Sequence, residues 1–219
     1  RPAKGLEVAF EEIKKNSGLG VKLSDIAVII RANHQSKFFE LAFNRHAIPF
    51  TIIGGQKFFE NKEIKDILAY LRILINERDE ISLRRIINYP ARGIGAVTCE
   101  KFFEIAKDRK FNPGELLNKF NFFEPLFKTE QIKALKNFSA IYQTLARDIH
   151  SLDPVAFSKR LISLIKIEDE IKRSAENETV ARIRLENIHA FIDAVATDPD
   201  LKSHRSAHGF FTNFINAVT

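Results

Sequence analysis

Apolar and polar residues form two short runs and two longer stripes in the first third of the chain. Residues 25–30 and 49–53 are mostly apolar, rich in β-branched side chains and too short for helices, so they predict buried strands. Residues 37 to about 46 predict a helix between them, and a stripe from Ile64 to Ile75 at helical spacing predicts another. This alternation predicts part of a parallel α/β sheet over residues 1–76.

Beyond a polar cluster at residues 76–80 the apolar pattern has only the helical period, and no strand is predicted there. Asp153 followed by Pro154 is typical of a helix start, with Asp at the N-cap and Pro at the first helical position. We therefore expect an all-α domain over residues 77–219 and a predominantly helical chain. The predicted helices cover residues 81–88, 96–107, 113–120, 129–150, 155–166, 178–195 and 209–218.

Composition limits the class of protein. The 219 residues are 45% hydrophobic and 28% charged, with a formal net charge of +6, which permits nucleic-acid binding without demonstrating it. Cys99 is the one cysteine, so the chain has no internal disulfide and no cysteine-based zinc site. We find no apolar stretch near the roughly 20 residues that span a bilayer, and no signal-like segment. We expect a cytoplasmic protein with no membrane contact.

A polar cluster follows the first predicted strand, at the edge of an open α/β sheet where ligands bind. Arg31 would offer phosphate oxygens a planar fork of donors, although a surface arginine ending a strand is the simpler interpretation. Asn33 and Ser36 are expected to cap the helix that follows. His34 has no partner at metal-ligand spacing, so we expect it to form hydrogen bonds.

Two later segments are candidates for phosphate binding. Lys62 and Lys65 lie near a predicted helix start, where the helix dipole disfavours cations unless an anion is bound; a solvated charged face is the alternative. Gly93 and Gly95 flank one residue before another helix and would expose backbone N–H groups at its positive end. Arg92 adds a charge there, although a tight turn between helices would explain the same residues.

The order of these segments resembles UvrD/Rep/PcrA-type superfamily 1 ATP-dependent DNA helicases, in the part that carries motif IV. The resemblance implies a partial second RecA-like domain of the P-loop NTPase type (2A) at residues 1–76 and a helical insertion (2B) at 77–219. The matching residues are Ile29-Ile-Arg-Ala-Asn-His-Gln-Ser36, Ile48-Pro49-Phe50, Gly54-Gly55, Phe58-Phe59, Glu63-Ile-Lys-Asp-Ile-Leu-Ala-Tyr-Leu-Arg72 and Arg92-Gly-Ile-Gly95.

The resemblance also implies residue roles. Arg31 would be the catalytic arginine that reaches the γ-phosphate of ATP, and Ile30 stands where the family usually has an aromatic residue that stacks on adenine. The motif that grips duplex DNA would be the turn from Arg92 to Gly95. The implied DNA-binding residues are Asn33, His34, Gly55, Lys62, Lys65, Arg92, Gly93, Ile94, Gly95 and Thr98.

The parent protein implied by the resemblance is a 3′–5′ DNA helicase with ATP and Mg²⁺ as cofactors, acting in replication or repair. It would couple ATP hydrolysis to translocation on single-stranded DNA and to duplex unwinding, and its protein partners stay unidentified. A G-x-x-x-x-G-K-[ST] loop is absent from the sequence, and Lys4-Gly-Leu-Glu7, which resembles part of motif V, is out of order. We therefore expect a fragment that binds no nucleotide alone and lacks the first motor domain. The alternatives are a non-motor DNA- or protein-binding helical module and the helicase part of a helicase-nuclease.

Overall fold

The computed structural model describes residues 2–30, 35–53 and 57–218, and about three quarters of the chain is helical. Short 3₁₀ turns connect several of the helices. In chain order the helices are α1 (Pro2–Gly18), α2 (Ser36–Arg45), α3 (Lys62–Ile75), α4 (Glu80–Ile86), α5 (Ala96–Asp108), α6 (Pro113–Asn118), α7 (Thr129–Ser151), α8 (Pro154–Ile165), α9 (Ile167–Ser174), α10 (Glu178–Ala196) and α11 (Ala207–Val218).

The prediction of a partial RecA-like α/β domain is wrong, because the described residues contain no strand. Both apolar runs lie outside the helices without strand pairing, and Ile29 and Ile53 are each 95% exposed. A β-branched apolar run becomes a strand only when neighbouring strands take its backbone hydrogen bonds, and local sequence does not supply those neighbours. The all-α prediction for residues 77–219 holds over the residues described there.

Two compact units divide the chain, one formed by residues 1–61 with 216–219 and the other by 62–215. In the first unit Phe58 and Phe59 are both buried and meet edge to face, with 5.0 Å between ring centroids. The buried Glu40 carboxylate accepts the Phe58 N–H at 2.9 Å. Segments 26–30 and 48–53 line one cavity of about 880 Å³ together with residues of α2.

The second unit is built around α3, whose residues from Ile64 to Leu71 are almost all buried. Helices α4 and α10 pack against α3, and α7 packs against both α6 and α8. The sequence-based boundary between residues 76 and 77 stays a prediction, while α3 belongs to this compact unit. Among the described residues, no helix is both long and apolar enough to cross a membrane.

Helix ends in the second unit follow local chemistry. The Asp153 carboxylate accepts the N–H groups of Val155 and Ala156 at 3.0 and 2.9 Å, so the predicted N-cap of α8 is confirmed.

Helix α9 was not predicted. Its start follows Lys166, which adopts a left-handed conformation with φ of 57°, and its acidic first turn and basic last turn fit the helix dipole.

Candidate nucleic-acid interface

Four of the predicted site residues, Arg31, Asn33, His34 and Gly55, lie outside the described residues. The helix start beside them is described: Gln35 occupies the N-cap position of α2 without a side-chain cap. Ser36 is therefore the first helical residue and not the cap that the sequence predicted.

The turn from Arg92 to Gly95, which precedes α5, is held by the side-chain amide of Asn88. The Asn88 side-chain oxygen accepts the N–H of Arg92 at 2.9 Å and the N–H of Ile94 at 3.0 Å. Ile94 is buried and fixes the turn to the helical core, whereas the glycines on either side of it are exposed. The amide and the buried isoleucine together fix the turn so that its glycines face solvent.

Open space surrounds the two glycines. A Cβ added at Gly93 or at Gly95 would meet no atom within 4 Å. Gly93 has φ of +80°, which only glycine adopts readily, while Gly95 has an ordinary φ of −72°. A side chain at Gly95 would therefore change the exposed surface without straining the backbone.

Helix α5 begins without a side-chain cap. Gly95 is its N-cap residue, and its first turn holds no acidic residue. The first N–H groups of a helix carry a partial positive charge of roughly half an elementary charge. Because the exposed Val97 and its neighbours leave that end open to solvent, the turn offers backbone donors to an anion.

Arg92 supports this turn from behind. Its Nη1 donates to the backbone oxygens of Ile86 at 3.2 Å and Pro90 at 2.9 Å, and its Nη2 donates to the Tyr70 hydroxyl at 2.7 Å. The guanidinium also lies over the Phe138 ring, 5.1 Å from the centroid. Its fork of donors is thus engaged within the fold, while its charge stays beneath the turn.

Tyr70 connects α3 to the same turn. Its hydroxyl donates to the Tyr89 backbone oxygen at 2.7 Å while it accepts from Arg92. Burial raises the pKa of Tyr70, so the hydroxyl keeps its proton and its donor role. The segment between α4 and α5 is therefore fixed to α3 through polar contacts.

The remaining predicted residues divide between inward and outward positions. Thr98 is buried, and its hydroxyl accepts from Gln131 Nε2 at 3.0 Å, so it joins α5 to α7. Lys62 and Lys65 are exposed at the start of α3. Lys62 Nζ lies 5.2 Å from the centroid of the Tyr89 ring, and the Lys65 side chain makes no hydrogen bond or ion pair with the described residues.

A buried polar network beneath Lys62 was missed by the sequence analysis. Glu63 accepts from Arg184 at 3.1 Å and from Asn187 at 2.7 Å, which joins α3 to α10. One turn along α3, Asp66 accepts from Arg85 Nε of α4 at 2.6 Å. Acidic residues on an otherwise apolar helical stripe were the available signal, but their partners are not near in sequence.

Two features bear on metal and nucleotide binding. No group of three or more His, Cys, Asp or Glu side chains that could hold a metal ion occurs among them. The sequence contains no phosphate-cradling loop, and the candidate ATP contact, Arg31, is outside the described residues. The contacts described above therefore bear on the turn before α5 and its surroundings, not on ATP.

Comparisons with known proteins agree with the sequence resemblance. The family model of the UvrD-like helicase C-terminal domain matches residues 3–219. The chain is 36% identical over 186 residues to the ATP-dependent DNA helicase PcrA of Staphylococcus aureus and 35% identical to that of Staphylococcus epidermidis. The alignments cover 85% of this chain and 25% of each relative, so the chain spans about a quarter of their length. Since the family model covers nearly every residue, the chain belongs to the UvrD-like helicase C-terminal domain family.

Proposed function

We propose that this chain is the duplex-gripping part of a cytoplasmic, ATP-dependent 3′–5′ DNA helicase acting in replication or repair. The observation that carries the proposal is the start of α5, which has no side-chain cap and is open to solvent around Gly93 and its N-cap residue Gly95. Backbone N–H groups at a helix start bind phosphate without reading bases, which is what a motor moving along any sequence requires. The S. aureus relative is named an ATP-dependent DNA helicase, which supports the same assignment for the parent.

Each residue of the turn has a distinct part in this proposal. Gly95 and the first residues of α5 present N–H groups to one phosphate, and Gly93 allows the close approach of the DNA backbone. Arg92 supplies positive charge from beneath and keeps the turn in shape through its three hydrogen bonds. Lys62 and Lys65 contribute further positive charge on an exposed surface of the same unit.

ATP and Mg²⁺ belong to the proposed parent protein, and the chain's own part in ATP chemistry is confined to Arg31. A guanidinium at the γ-phosphate would stabilise charge that develops during phosphoryl transfer. Without the phosphate-cradling loop the 219-residue chain is inactive alone, and single-stranded DNA contacts through Asn33, His34 and Gly55 are proposed with the parent.

The duplex site is tested with Gly95→Asp in the 219-residue chain. The carboxylate would cap α5, so stability should change by only a few tenths of a kcal/mol. At about 4 Å from a phosphate it would repel by about 1 kcal/mol in water and about 4 kcal/mol at an effective dielectric constant of 20. Because the turn is exposed, we expect the lower end, a loss of about fivefold or more in duplex affinity measured by fluorescence anisotropy.

Asn112→Asp is the matched control. Asn112 is the N-cap residue of α6, has no side-chain cap, and has an extended backbone like that of Gly95. The substitution changes the net charge by the same amount at another helix start, so duplex affinity should fall much less. Equal losses in both variants would mean that only net charge matters, and the proposed site at Gly95 would be wrong.

A further inference from the structure

Arg85 and Asp66 form an ion pair through a single hydrogen bond, although the two side chains could form two. Its Nε donates to Asp66 Oδ1 at 2.6 Å, while its Nη2 donates to the Lys62 backbone oxygen at 3.3 Å. In the usual two-bond pairing, Nη2 would bind the second carboxylate oxygen. Here Asp66 Oδ2 is buried and has no hydrogen-bond partner among the described residues.

The exposed edge of the Arg85 guanidinium is therefore available. Both N–H bonds of Nη1 and the second N–H of Nη2 meet no described acceptor, and the side chain is 38% exposed. The Asp66 carboxylate, 3% exposed, holds the other edge in place. A planar fork fixed on one side and open on the other has the geometry that phosphate oxygens accept.

Two other arginines of the same unit are engaged differently from Arg85. Arg84, the preceding residue of α4, donates to Glu80 at 2.7 Å and to Glu100 at 2.8 Å, so two carboxylates neutralise it. Arg92 has its donors on Tyr70 and two backbone oxygens. Arg85 differs from Arg84 in having a single carboxylate partner, and from Arg92 in having both N–H bonds of Nη1 open.

Arg85 and the two proposed DNA-binding surfaces are all joined to α3. Lys62, exposed at the start of α3, offers its backbone oxygen to Arg85. Asp66 and Tyr70 are one helical turn apart on α3, and they hold Arg85 and Arg92 respectively. Arg85 thus contacts α3 at Lys62 and Asp66, one helical turn before the tyrosine that holds Arg92.

We propose that Arg85 binds a phosphodiester of duplex DNA and that Asp66 is its positioning residue. This inference rests on the proposed function and adds a second phosphate contact to the one at Gly95. The ligand class is the sugar-phosphate backbone, because a guanidinium edge at a helix surface contacts phosphate oxygens and carries no base information by itself.

The test removes the pair without changing net charge. Asp66→Asn with Arg85→Gln removes one negative and one positive charge, so long-range attraction to DNA is unaltered. The slope of log K against log salt concentration should fall by about 0.9, the value for one lost phosphate contact. The control, Arg84→Gln with Glu100→Gln, removes an ion pair between α4 and α5, again with no change in net charge, and should leave the slope unchanged.

A second variant covers the case in which the first does not fold. Asp66→Leu with Arg85→Met replaces the pair by apolar side chains, a change that is often neutral or stabilising for buried ion pairs. It should give the same loss of slope, with folding checked by circular dichroism.

Duplex DNA binding by the unsubstituted chain distinguishes failure of this inference from failure of the proposed function. If the native chain binds duplex DNA and the folded Asp66/Arg85 variants keep its salt slope, Arg85 makes no phosphate contact and this inference is wrong, while the proposed function stands. If the native chain shows no salt-dependent duplex binding, the proposed function and this inference fail together.

Discussion

Replacing Arg92 by lysine should reduce stability far more than DNA affinity. Lysine keeps the positive charge, but a single ammonium cannot serve the Ile86 and Pro90 backbone oxygens and the Tyr70 hydroxyl together. The sequence resemblance alone would predict the opposite, a direct loss of DNA contact. The structure therefore makes Arg92→Lys a discriminating substitution.

The expected magnitude follows from the three hydrogen bonds. Bonds from a charged donor contribute about 1.5–3 kcal/mol each when buried, but Arg92 is half-buried and the three act as one group. We therefore expect a total loss of about 2–4 kcal/mol, with lysine restoring at most one of the bonds. For a chain of this size, the melting temperature should fall by about 5–15 °C.

The assay is thermal unfolding followed by circular dichroism, together with duplex binding well below the melting temperature. Arg182→Lys is the control, because Arg182 forms an exposed i,i+4 pair with Glu186 and should change stability by less than about 0.5 kcal/mol. An Arg92→Lys chain with native melting temperature and strongly weakened duplex affinity would refute the inward role of this side chain.

Two further predictions concern contacts between helices. Glu63→Ala should lower the free energy of unfolding in urea by about 3 kcal/mol or more, because it leaves Arg184 and Asn187 without their shared buried partner. Native stability in this variant would show that these contacts do not stabilise the packing of α10 on α3. Burial and the stacked His150 ring, 4.6 Å away, lower the pKa of His208, so the fold favours its neutral form. Stability should therefore fall as the pH drops below 6.5, the ordinary pKa of histidine, and His208→Gln should make that fall smaller. The measurement is the midpoint of urea unfolding at several pH values. An equal fall in both chains would exclude His208 as the cause.

Local signals in the sequence predicted the helices of the second unit well. The apolar spacing of α7 and the Asp153 cap of α8 are determined by residues within a few positions of one another. The open turn at Gly93 and Gly95 was likewise predicted, because glycine at both ends of a short turn before a helix has a local physical meaning. Features of this kind need no knowledge of distant residues.

Features that depend on distant residues were predicted poorly. Strand formation at residues 25–30 and 49–53 needs pairing partners that the runs themselves do not specify. The inward direction of Arg92 depends on Tyr70, which is 22 residues earlier in the chain. Arg85 was overlooked because its role arises from the way Asp66 pairs with it, and not from any motif.

The pair between Glu63 and Arg184 joins residues 121 positions apart. Closing so long a loop costs entropy before the contact repays it, so α10 should dock onto α3 late in folding. Until then Glu63 must stay hydrated, and the face of α3 beside it cannot dehydrate completely. During synthesis on the ribosome, the unit would accordingly remain incompletely packed until α10 had emerged.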